Sequence, residues 1–249
     1  MKPADKKIHS FAIVLAITAL LFAQARCTTS KQKVLVFFKT AGYYHQSIPD
    51  GIAAIQKIGK ENNFAVDTSK NADIFISKAL DQYAAVIFLS TTDSTGVLLN
   101  DEQEKAVQQY IKKGGGFAGI HAATDAGYQW NWYGKMIGGY FESHPEIQKA
   151  KLIVVDSLHA ATRGLPAEWE RTDEWYNFKN LNKDVNVLIT IDENSYKGGK
   201  NGAHHPVAWW HNYEGGRVFY TALGHTKESY TEPLFLQHLA GGILYAMGK

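Results

Sequence analysis

Cysteine is almost absent from this sequence, since Cys27 is the only one among 249 residues. A single cysteine excludes an intrachain disulfide and a zinc site built from paired Cys-x-x-Cys motifs. Cys27 also precedes the segment that we expect to fold, so a thiol nucleophile is excluded there. The sequence has no His-Glu-x-x-His motif and no basic stripe, and its net charge is only +2. A nucleic-acid partner is therefore not expected.

Two further catalytic classes lack their usual residues. Gly114-Gly115-Gly116 precedes a predicted strand, whereas phosphate-binding glycines precede a helix. We therefore expect no nucleotide cofactor. Hydroxyl side chains are available at Ser90, Thr124 and Ser143, but none of them occupies a predicted strand-to-helix elbow. The sequence thus gives little support to a serine hydrolase.

The first 25 residues have the pattern of a signal peptide. Three lysines are followed by an apolar stretch over residues 11–22 and by Ala23-Gln24-Ala25, a typical cleavage site. The apolar stretch is too short to favour a membrane span. We expect export to the periplasm, with residues 26–32 forming a polar linker before a domain over residues 33–249.

Cys27 leaves a second processing route open. A cysteine just after an apolar leader is typical of a lipoprotein, in which this cysteine carries the lipid. Arg26 stands where a lipoprotein signal has a small residue, which argues against that route. The protein is thus expected either to be free after export or to contact the membrane only through an anchor on Cys27.

The remaining sequence alternates short apolar runs with amphipathic segments. The apolar runs predict strands, and helices are expected to begin near Pro49, Asn100 and Pro233. This order predicts an α/β fold with a mostly parallel sheet and helices on both faces. The expected strands span residues 34–38, 65–68, 85–89, 117–120, 152–155, 185–191, 207–210 and 217–221.

Histidines follow three of the predicted strands. His45, His121 and His225 each come soon after an apolar run. Ligands bind outside the carboxyl ends of the strands in open sheets of this kind, so these side chains are expected around one pocket. His121 also occupies the raised position of an elbow-like segment, residues 114–125. Histidine is a good general base and a good metal ligand. We therefore expect this segment to keep the geometry of a hydrolase elbow but to carry out different chemistry.

Dispersed ligands also predict a metal site. Histidine and carboxylate side chains suit zinc or a similar divalent ion. The alternative is that the histidines only form hydrogen bonds with each other and with the loops. The candidate metal ligands are His45, His121, His144, Glu174 and His225.

Tryptophans beside histidines and acids favour a carbohydrate cleft, because stacked aromatic rings with a few polar groups can hold a sugar ring. For most phenylalanines and tyrosines, core packing is the simpler interpretation. The candidate substrate-binding residues are Tyr44, His45, Asp125, Trp130, Trp132, Trp175, His205 and Trp209.

Several segments together resemble the ThuA-like, or trehalose-utilisation, family. They occur in family order at residues 39–48, 114–125, 132–134 with 144–145, 173–176, 205–209 and 215–225. One departure is Tyr43-Tyr44, where the family more often has Phe-Arg. The resemblance implies a flavodoxin-like sandwich related to class I glutamine amidotransferases. His121 then stands at the position of the amidotransferase cysteine, which implies that glutaminase activity is lost.

The resemblance also implies a role in sugar catabolism, often beside oxidoreductases that make 3-keto sugars. Our hypothesis is an enzyme that cleaves a glycoside or a 3-keto glycoside by lyase or hydrolase chemistry. His121 would act as the base, a divalent metal or protonated His225 would stabilise the oxyanion, and Asp173 or Glu174 would be the acid. His121 could instead ligate the metal. The alternative is a non-catalytic sugar-binding protein that uses the same cleft.

Overall fold

Within the described residues, most of the apolar runs lie in one nine-stranded sheet. The computed structural model describes residues 31–77, 80–94 and 97–249. The predicted signal peptide and Cys27 lie outside the described residues. Within the described part of the chain, no helix is both long enough and apolar enough to cross a bilayer.

The described residues contain thirteen strands, four of which form two small ribbons beside the main sheet. In chain order they are β1 (Lys33–Phe37), β2 (Thr40–Ala41), β3 (Ala65–Ser69), β4 (Tyr83–Leu89), β5 (Thr92–Asp93), β6 (Gly116–Ile120), β7 (Tyr140–Ser143), β8 (Gln148–Val154), β9 (Glu168–Asp173), β10 (Asn177–Lys179), β11 (Asn186–Ile191), β12 (Pro206–Tyr213) and β13 (Gly216–Thr221).

The α-helices are α1 (Ile48–Glu61), α2 (Asp101–Lys112), α3 (Asn131–Ile137) and α4 (Pro233–Ala246). In the part of the chain that the structure describes, five short 3₁₀ helices lie between the longer elements, and one of them, His121–Thr124, follows β6 directly. The helix starts expected near Pro49, Asn100 and Pro233 agree with α1, α2 and α4.

The sheet has a parallel half and an antiparallel half. Its order is β3-β1-β4-β6-β13-β12-β11-β8-β9. The pairs from β3 to β13 are parallel, and those from β13 to β9 are antiparallel. The expected α/β fold is confirmed. The parallel pairs lie only in the half of the sheet whose strands alternate with helices along the chain.

Helices cover both faces of the parallel half. Gly51 of α1 packs on Leu89, and α1 contacts α4, so both helices lie on the Leu89 face. Phe88 points to the opposite face because neighbouring strand residues alternate. There its ring lies 5.9 Å from the ring of Tyr133 in α3. Both faces of the central strands are thus buried, which explains their continuous apolar sequences.

The edge strand β9 was not predicted from the sequence. Its side chains alternate between exposed and buried, and the buried ones are Trp169, Arg171 and Asp173. Two of these three inward residues are charged, so the strand has no apolar alternation to recognise. The charges are buried because Arg171 and Asp173 form an ion pair with each other.

The N-terminal cap of α2 offers a test of this fold. Asn100 accepts a hydrogen bond from the Gln103 backbone, and the Gln103 side chain in turn accepts one from the Asn100 N–H. We expect Asn100→Ala to lower the free energy of unfolding by about 1 kcal/mol, because one helix N–H loses its partner. Chemical denaturation measures this. Asn100→Ser keeps a capping oxygen and should cost less; equal costs for both would contradict the cap.

Candidate functional site

Three strand ends bring three imidazoles together. His45 follows β1, His121 follows β6 and His225 follows β13, and these strands end at the same edge of the sheet. The ring centroids are 4.8 Å apart for His45 and His121, 5.1 Å for His45 and His225, and 5.0 Å for His121 and His225. The structure therefore places all three histidines around one point, as the positions after strands predict.

His121 occupies a backbone conformation that few side chains adopt. Its φ is +51°, in the left-handed region, and its side chain is fully buried. Two contacts stabilise this strained turn: the Tyr220 hydroxyl donates to the His121 carbonyl at 2.8 Å, and His121 Nδ1 lies 2.8 Å from the Ala222 carbonyl. A carbonyl only accepts, so Nδ1 carries the hydrogen. The other nitrogen, Nε2, therefore faces His225 and Glu174, and it offers a lone pair to a metal whenever it carries no hydrogen.

Glu174 completes the group. Its Oε2 atom lies 3.4 Å from His121 Nε2 and 3.1 Å from His225 Nδ1, and those two nitrogens are 3.0 Å apart. With His45 included, one candidate ligand atom from each of the four residues lies within 4.8 Å of all the others. We call His45, His121, Glu174 and His225 the histidine-glutamate cluster.

The spacing of these atoms fits a divalent metal. Two ligand atoms about 2.1 Å from a zinc ion at tetrahedral angles lie roughly 3.4 Å apart. The measured separations among His121, His225 and Glu174 are 3.0–3.4 Å. In addition, the Nδ1 atom of His45 is buried without a hydrogen bond to any described residue. A mixed imidazole and carboxylate set is typical of zinc and similar ions.

The protonation of the cluster also suits metal binding. Burial, and then the charges of His121 and His225, lower the pKa of His45 to about 2. Its ring is therefore neutral near pH 7 and retains a lone pair. Burial alone would raise the pKa of Glu174, but hydrogen bonds from His121 and His225 outweigh burial and hold it well below its usual range. The carboxylate is thus ionised and can act as a ligand.

The pKa of His225 is shifted in the opposite direction, upward. Burial disfavours its charged form, but the hydrogen bond and the negative charge of Glu174 outweigh burial and raise its pKa. Without a metal, a proton on His225 would thus partly neutralise the carboxylate. A metal ion would replace that proton.

Asp173 holds two of the cluster residues in place. Its Oδ1 accepts from the backbone N–H of Glu174 at 3.0 Å and of His225 at 3.1 Å, and its Oδ2 accepts from Gly224 N–H at 2.9 Å. The side chain is completely buried and does not line the cavity described below. The expectation that Asp173 serves as a catalytic acid is therefore not met, because its oxygens are engaged by backbone donors.

Arg171 balances the charge of Asp173. Its Nη2 lies 3.1 Å from Asp173 Oδ2 and 3.2 Å from Glu232 Oε2. The guanidinium also lies 5.1 Å from the Trp169 ring and 5.0 Å from the Phe235 ring. A buried carboxylate without such a partner would be strongly destabilising. The ion pair with Arg171 thus allows Asp173 to remain charged inside the protein, where it accepts the backbone hydrogen bonds described above.

His144 lies outside the histidine-glutamate cluster. Its Nδ1 is 3.1 Å from Glu174 Oε1 and 2.9 Å from the Pro145 carbonyl, and its side chain is 44% exposed. Because the carbonyl requires a donor, this nitrogen carries the hydrogen and cannot bind a metal. The structure thus gives His144 an orienting contact with Glu174 in place of the predicted ligand position.

A cavity of about 370 Å³ opens over the cluster. This volume falls in the range of roughly 300–1,000 Å³ that is usual for small-molecule sites. The cavity combines aromatic rings with polar groups. Its lining residues are Tyr43, His45, Asp125, Phe141, His144, Pro145, Glu146, Ile147, Glu174, Tyr176 and His225.

The tryptophans expected in a sugar cleft lie elsewhere. Trp175 and Trp209 are fully buried, and their Nε1 atoms donate to the Gln148 and Ile137 carbonyls. Trp130 stacks on Trp132 in the core beside α3.

Trp132 itself donates to Glu214, beyond the amino end of β13. That position is at the opposite edge of the sheet from the cluster. These four indoles therefore pack or support the fold and do not line the cavity.

Two other predicted contact residues also have different positions. Tyr44 is about half exposed and does not line the cavity. His205 is buried, with one nitrogen 2.8 Å from Glu193 Oε1 and the other 2.8 Å from the Tyr176 carbonyl. Of the predicted substrate-binding residues, His45 and Asp125 do line the cavity.

The rings that do line the cavity were not among the predicted substrate-binding residues. They are Tyr43, Phe141 and Tyr176. Each lies within three residues of a histidine or acid of the site: Tyr43 precedes His45, Phe141 precedes His144, and Tyr176 follows Glu174. The predicted tryptophans also lie near histidines and acids, so this proximity did not separate the rings of the cavity from those of the core.

The fold and the elbow define an α/β protein with a histidine at the turn that follows a central parallel strand. The family model described as ThuA, trehalose utilisation, matches residues 33–246. The chain therefore belongs to the ThuA family. Membership of this family gives it a general role in carbohydrate utilisation.

Solved structures agree on the fold. A protein described as ThuA-like from Bacteroides uniformis is 22% identical, with a TM-score of 0.72 over 87% of this chain and 91% of that one. A ThuA-like protein from Parabacteroides merdae is 19% identical, with a TM-score of 0.71 over 88% and 91% of the two chains.

A more distant similarity connects the chain to amidotransferase-like folds. PurLQS from Thermotoga maritima is 16% identical, with a TM-score of 0.55 over 86% of this chain and 99% of that one. A comparison with curated proteins found no match.

The histidine-glutamate cluster, as a candidate metal site, makes a direct prediction. We expect the purified protein to bind one divalent ion per chain, and zinc competition titration to give at least tenfold weaker binding for His45→Ala, His121→Ala, Glu174→Gln and His225→Ala, since each removes a ligand. His204→Ala, at an exposed position, is the control. Unchanged affinity in all four cluster variants would contradict the site.

The anchoring role of Asp173 makes a second prediction. Asp173→Asn should weaken zinc binding about 10- to 100-fold, because the amide nitrogen cannot accept the backbone hydrogens that orient Glu174 and His225. Metal affinity and thermal stability are measured together.

Glu232→Gln is the matched control, since Glu232 also pairs with Arg171 but contacts no cluster residue. It should change stability without changing metal affinity by more than about threefold. If both variants weaken zinc binding equally, Asp173 has no particular positioning role.

Proposed function

We propose that this protein is a divalent-metal-dependent enzyme of sugar catabolism that acts on a glycoside carrying a ketone, a 3-keto glycoside. The observation that supports the proposal most is the histidine-glutamate cluster at the floor of the cavity. Several titratable groups around one point are typical of a catalytic site and are uncommon where a ligand is only held.

The metal would be held by His45, His121, Glu174 and His225. When bound, a divalent ion supplies a Lewis acid that stabilises negative charge on a substrate oxygen. Because the Nε2 of His121 faces the cluster, this proposal assigns His121 the role of ligand and not that of base. The base must then be another group that lines the cavity.

Asp125 is the group that fits this role. It lines the cavity, and its carboxylate accepts a hydrogen bond of 2.6 Å from the Tyr128 hydroxyl. Burial raises its pKa, an effect that the Tyr128 hydrogen bond and the charge of His121 partly oppose. A carboxylate with a raised pKa is a stronger base, and once protonated it is a usable acid near neutral pH.

The proposed reaction is an elimination. A ketone at C3 acidifies the hydrogen at C2, which Asp125 removes. The electron pair left at C2 forms a double bond with C1 as the C1–oxygen bond breaks, and protonated Asp125 returns the proton to the departing oxygen. The products are an unsaturated keto sugar and an alcohol, and a later addition of water can convert the former to the free 3-keto sugar.

The cavity surroundings fit such a substrate. Tyr43, Phe141 and Tyr176 give the wall apolar ring surface, while Glu146 and His144 offer polar groups. The proposal includes export to the periplasm, either free or anchored through Cys27, where the partner would be a small carbohydrate. It excludes glutaminase activity, because the elbow carries His121 where an amidotransferase would need a thiol.

Turnover of a 3-keto glycoside tests this proposal. The zinc-loaded protein should release the alcohol, and Asp125→Asn should lower kcat by about 100-fold or more with a small change in KM, because proton transfer is lost. Asp184→Asn, at an exposed position, is the control. Glutamine should yield no ammonia.

Two outcomes would contradict the proposal in different ways. Sugar binding without turnover by the metal-loaded protein would favour the non-catalytic sugar-binding alternative. If Asp125→Asn keeps kcat within about threefold of the wild type, Asp125 is not the group that moves the proton. The proposed metal site would be unaffected by that result.

A further inference from the structure

We infer that Tyr176 is a further catalytic residue, whose hydroxyl donates a hydrogen bond to the substrate oxygen that becomes negatively charged in the reaction. The inference rests on the proposed function and adds a second stabilising group to it. In the proposed elimination, negative charge develops on the ketone oxygen when the proton at C2 is removed. A fixed hydrogen-bond donor to this oxygen lowers the barrier to that step.

The Tyr176 hydroxyl differs from those of the other buried tyrosines. A buried tyrosine usually bonds its hydroxyl to a protein group, and Tyr110, Tyr133 and Tyr220 donate to backbone carbonyls. Tyr176 is only 2% exposed, but its hydroxyl has no partner among the described residues and is not fully enclosed. The Tyr230 hydroxyl also lacks a partner, but it is enclosed and does not line the cavity. The Tyr176 hydroxyl therefore opens into the cavity that this residue lines.

The ring of Tyr176 is fixed between two other rings. Its centroid lies 4.4 Å from that of His121 and 4.4 Å from that of Phe141. The backbone is fixed as well, because the Tyr176 carbonyl accepts a hydrogen bond of 2.8 Å from His205 Nε2. The other nitrogen of His205 lies 2.8 Å from Glu193 Oε1. A donor that is already positioned needs no reorganisation when charge develops, which is the condition for an effective oxyanion site.

The position of Tyr176 suits an oxygen that also approaches the metal. Its ring lies directly against His121, and the chain reaches it two residues after Glu174. Both of these residues belong to the histidine-glutamate cluster. Asp125, the proposed proton carrier, lines the same cavity. The cavity thus offers a substrate a metal site, a carboxylate that takes a proton and a neutral donor.

The other side chains of the described lining are less suited to this role. Its carboxylates only accept hydrogen bonds when they are ionised, and His45 and His225 are assigned to the metal. His144 already uses its Nδ1 hydrogen on Glu174 and the Pro145 carbonyl. Tyr43 is 63% exposed, so water competes for its hydroxyl. Tyr176 is the donor in this lining that is both shielded from bulk water and free to bind a ligand.

The substitution Tyr176→Phe removes the hydroxyl and keeps the ring that packs on His121. With the zinc-loaded protein and methyl 3-keto-glucoside, we expect kcat to fall about 100-fold while KM changes less than about threefold, because the bond strengthens as charge develops. Tyr110→Phe is the matched control. It also removes a buried hydroxyl, one that donates to the Tyr83 and Gly116 carbonyls at the opposite edge of the sheet. It should lower thermal stability and leave kcat unchanged.

A binding measurement needs no turnover and separates this inference from the proposed function. Acetohydroxamate, an anionic chelator of zinc, is titrated by calorimetry into the zinc-loaded wild type and both variants. We expect Tyr176→Phe to weaken its binding about tenfold, because a hydrogen bond to a charged oxygen is lost, and to leave the zinc affinity unchanged. This result would support the donor role even if no 3-keto glycoside were cleaved, which would contradict only the proposed reaction.

Two results would overturn the role of Tyr176. If Tyr176→Phe weakens zinc binding as much as it lowers kcat, the hydroxyl only helps to hold the cluster together. If kcat and acetohydroxamate binding both stay as in the wild type, the hydroxyl does not reach the charged oxygen, and the metal-dependent reaction is unaffected.

Discussion

The candidate site depends on one buried carboxylate. Asp173 accepts backbone hydrogens from Glu174, Gly224 and His225, and so joins the end of β9 to the loop after β13. Four strand spacings separate β13 from β9, which would be about 19 Å in a flat sheet. Contacts of about 3 Å require the antiparallel half to curl back toward the parallel half. Glu174 reaches the histidines because of this curvature, and Arg171 makes the buried charge tolerable.

The two halves of the sheet supply different residues to the candidate site. The parallel half supplies the three histidines from strand ends, as is usual for open α/β sheets. The antiparallel half supplies Glu174, which follows β9, while Phe141 of the β7–β10 ribbon and Tyr176 just before β10 supply most of the aromatic wall. The turn directly after β6 therefore explains where His121 stands. It does not explain the carboxylate that makes the group suitable for a metal, which comes from the other half of the sheet.

The sequence was most informative where local pattern decides structure. Strand ends could be located from apolar runs, so the meeting of His45, His121 and His225 was predictable. Glu174 could be proposed from its type but not placed, because β9 carries Arg171 and Asp173 inward and lacks an apolar alternation. The tryptophans were misassigned since burial depends on long-range packing. Trp175 and Trp209 donate to backbone carbonyls in the core, which sequence spacing does not encode.

The four residues of the cluster are spread over 180 positions of the chain, from His45 to His225. Contacts between such distant residues form late, because the entropy cost of bringing the ends of a long loop together must be met first. The geometry of the histidine-glutamate cluster should therefore appear late in folding and be lost early when the sheet opens. A spectroscopic metal probe such as cobalt would then follow the assembly of the two halves, while far-ultraviolet circular dichroism followed the local helices.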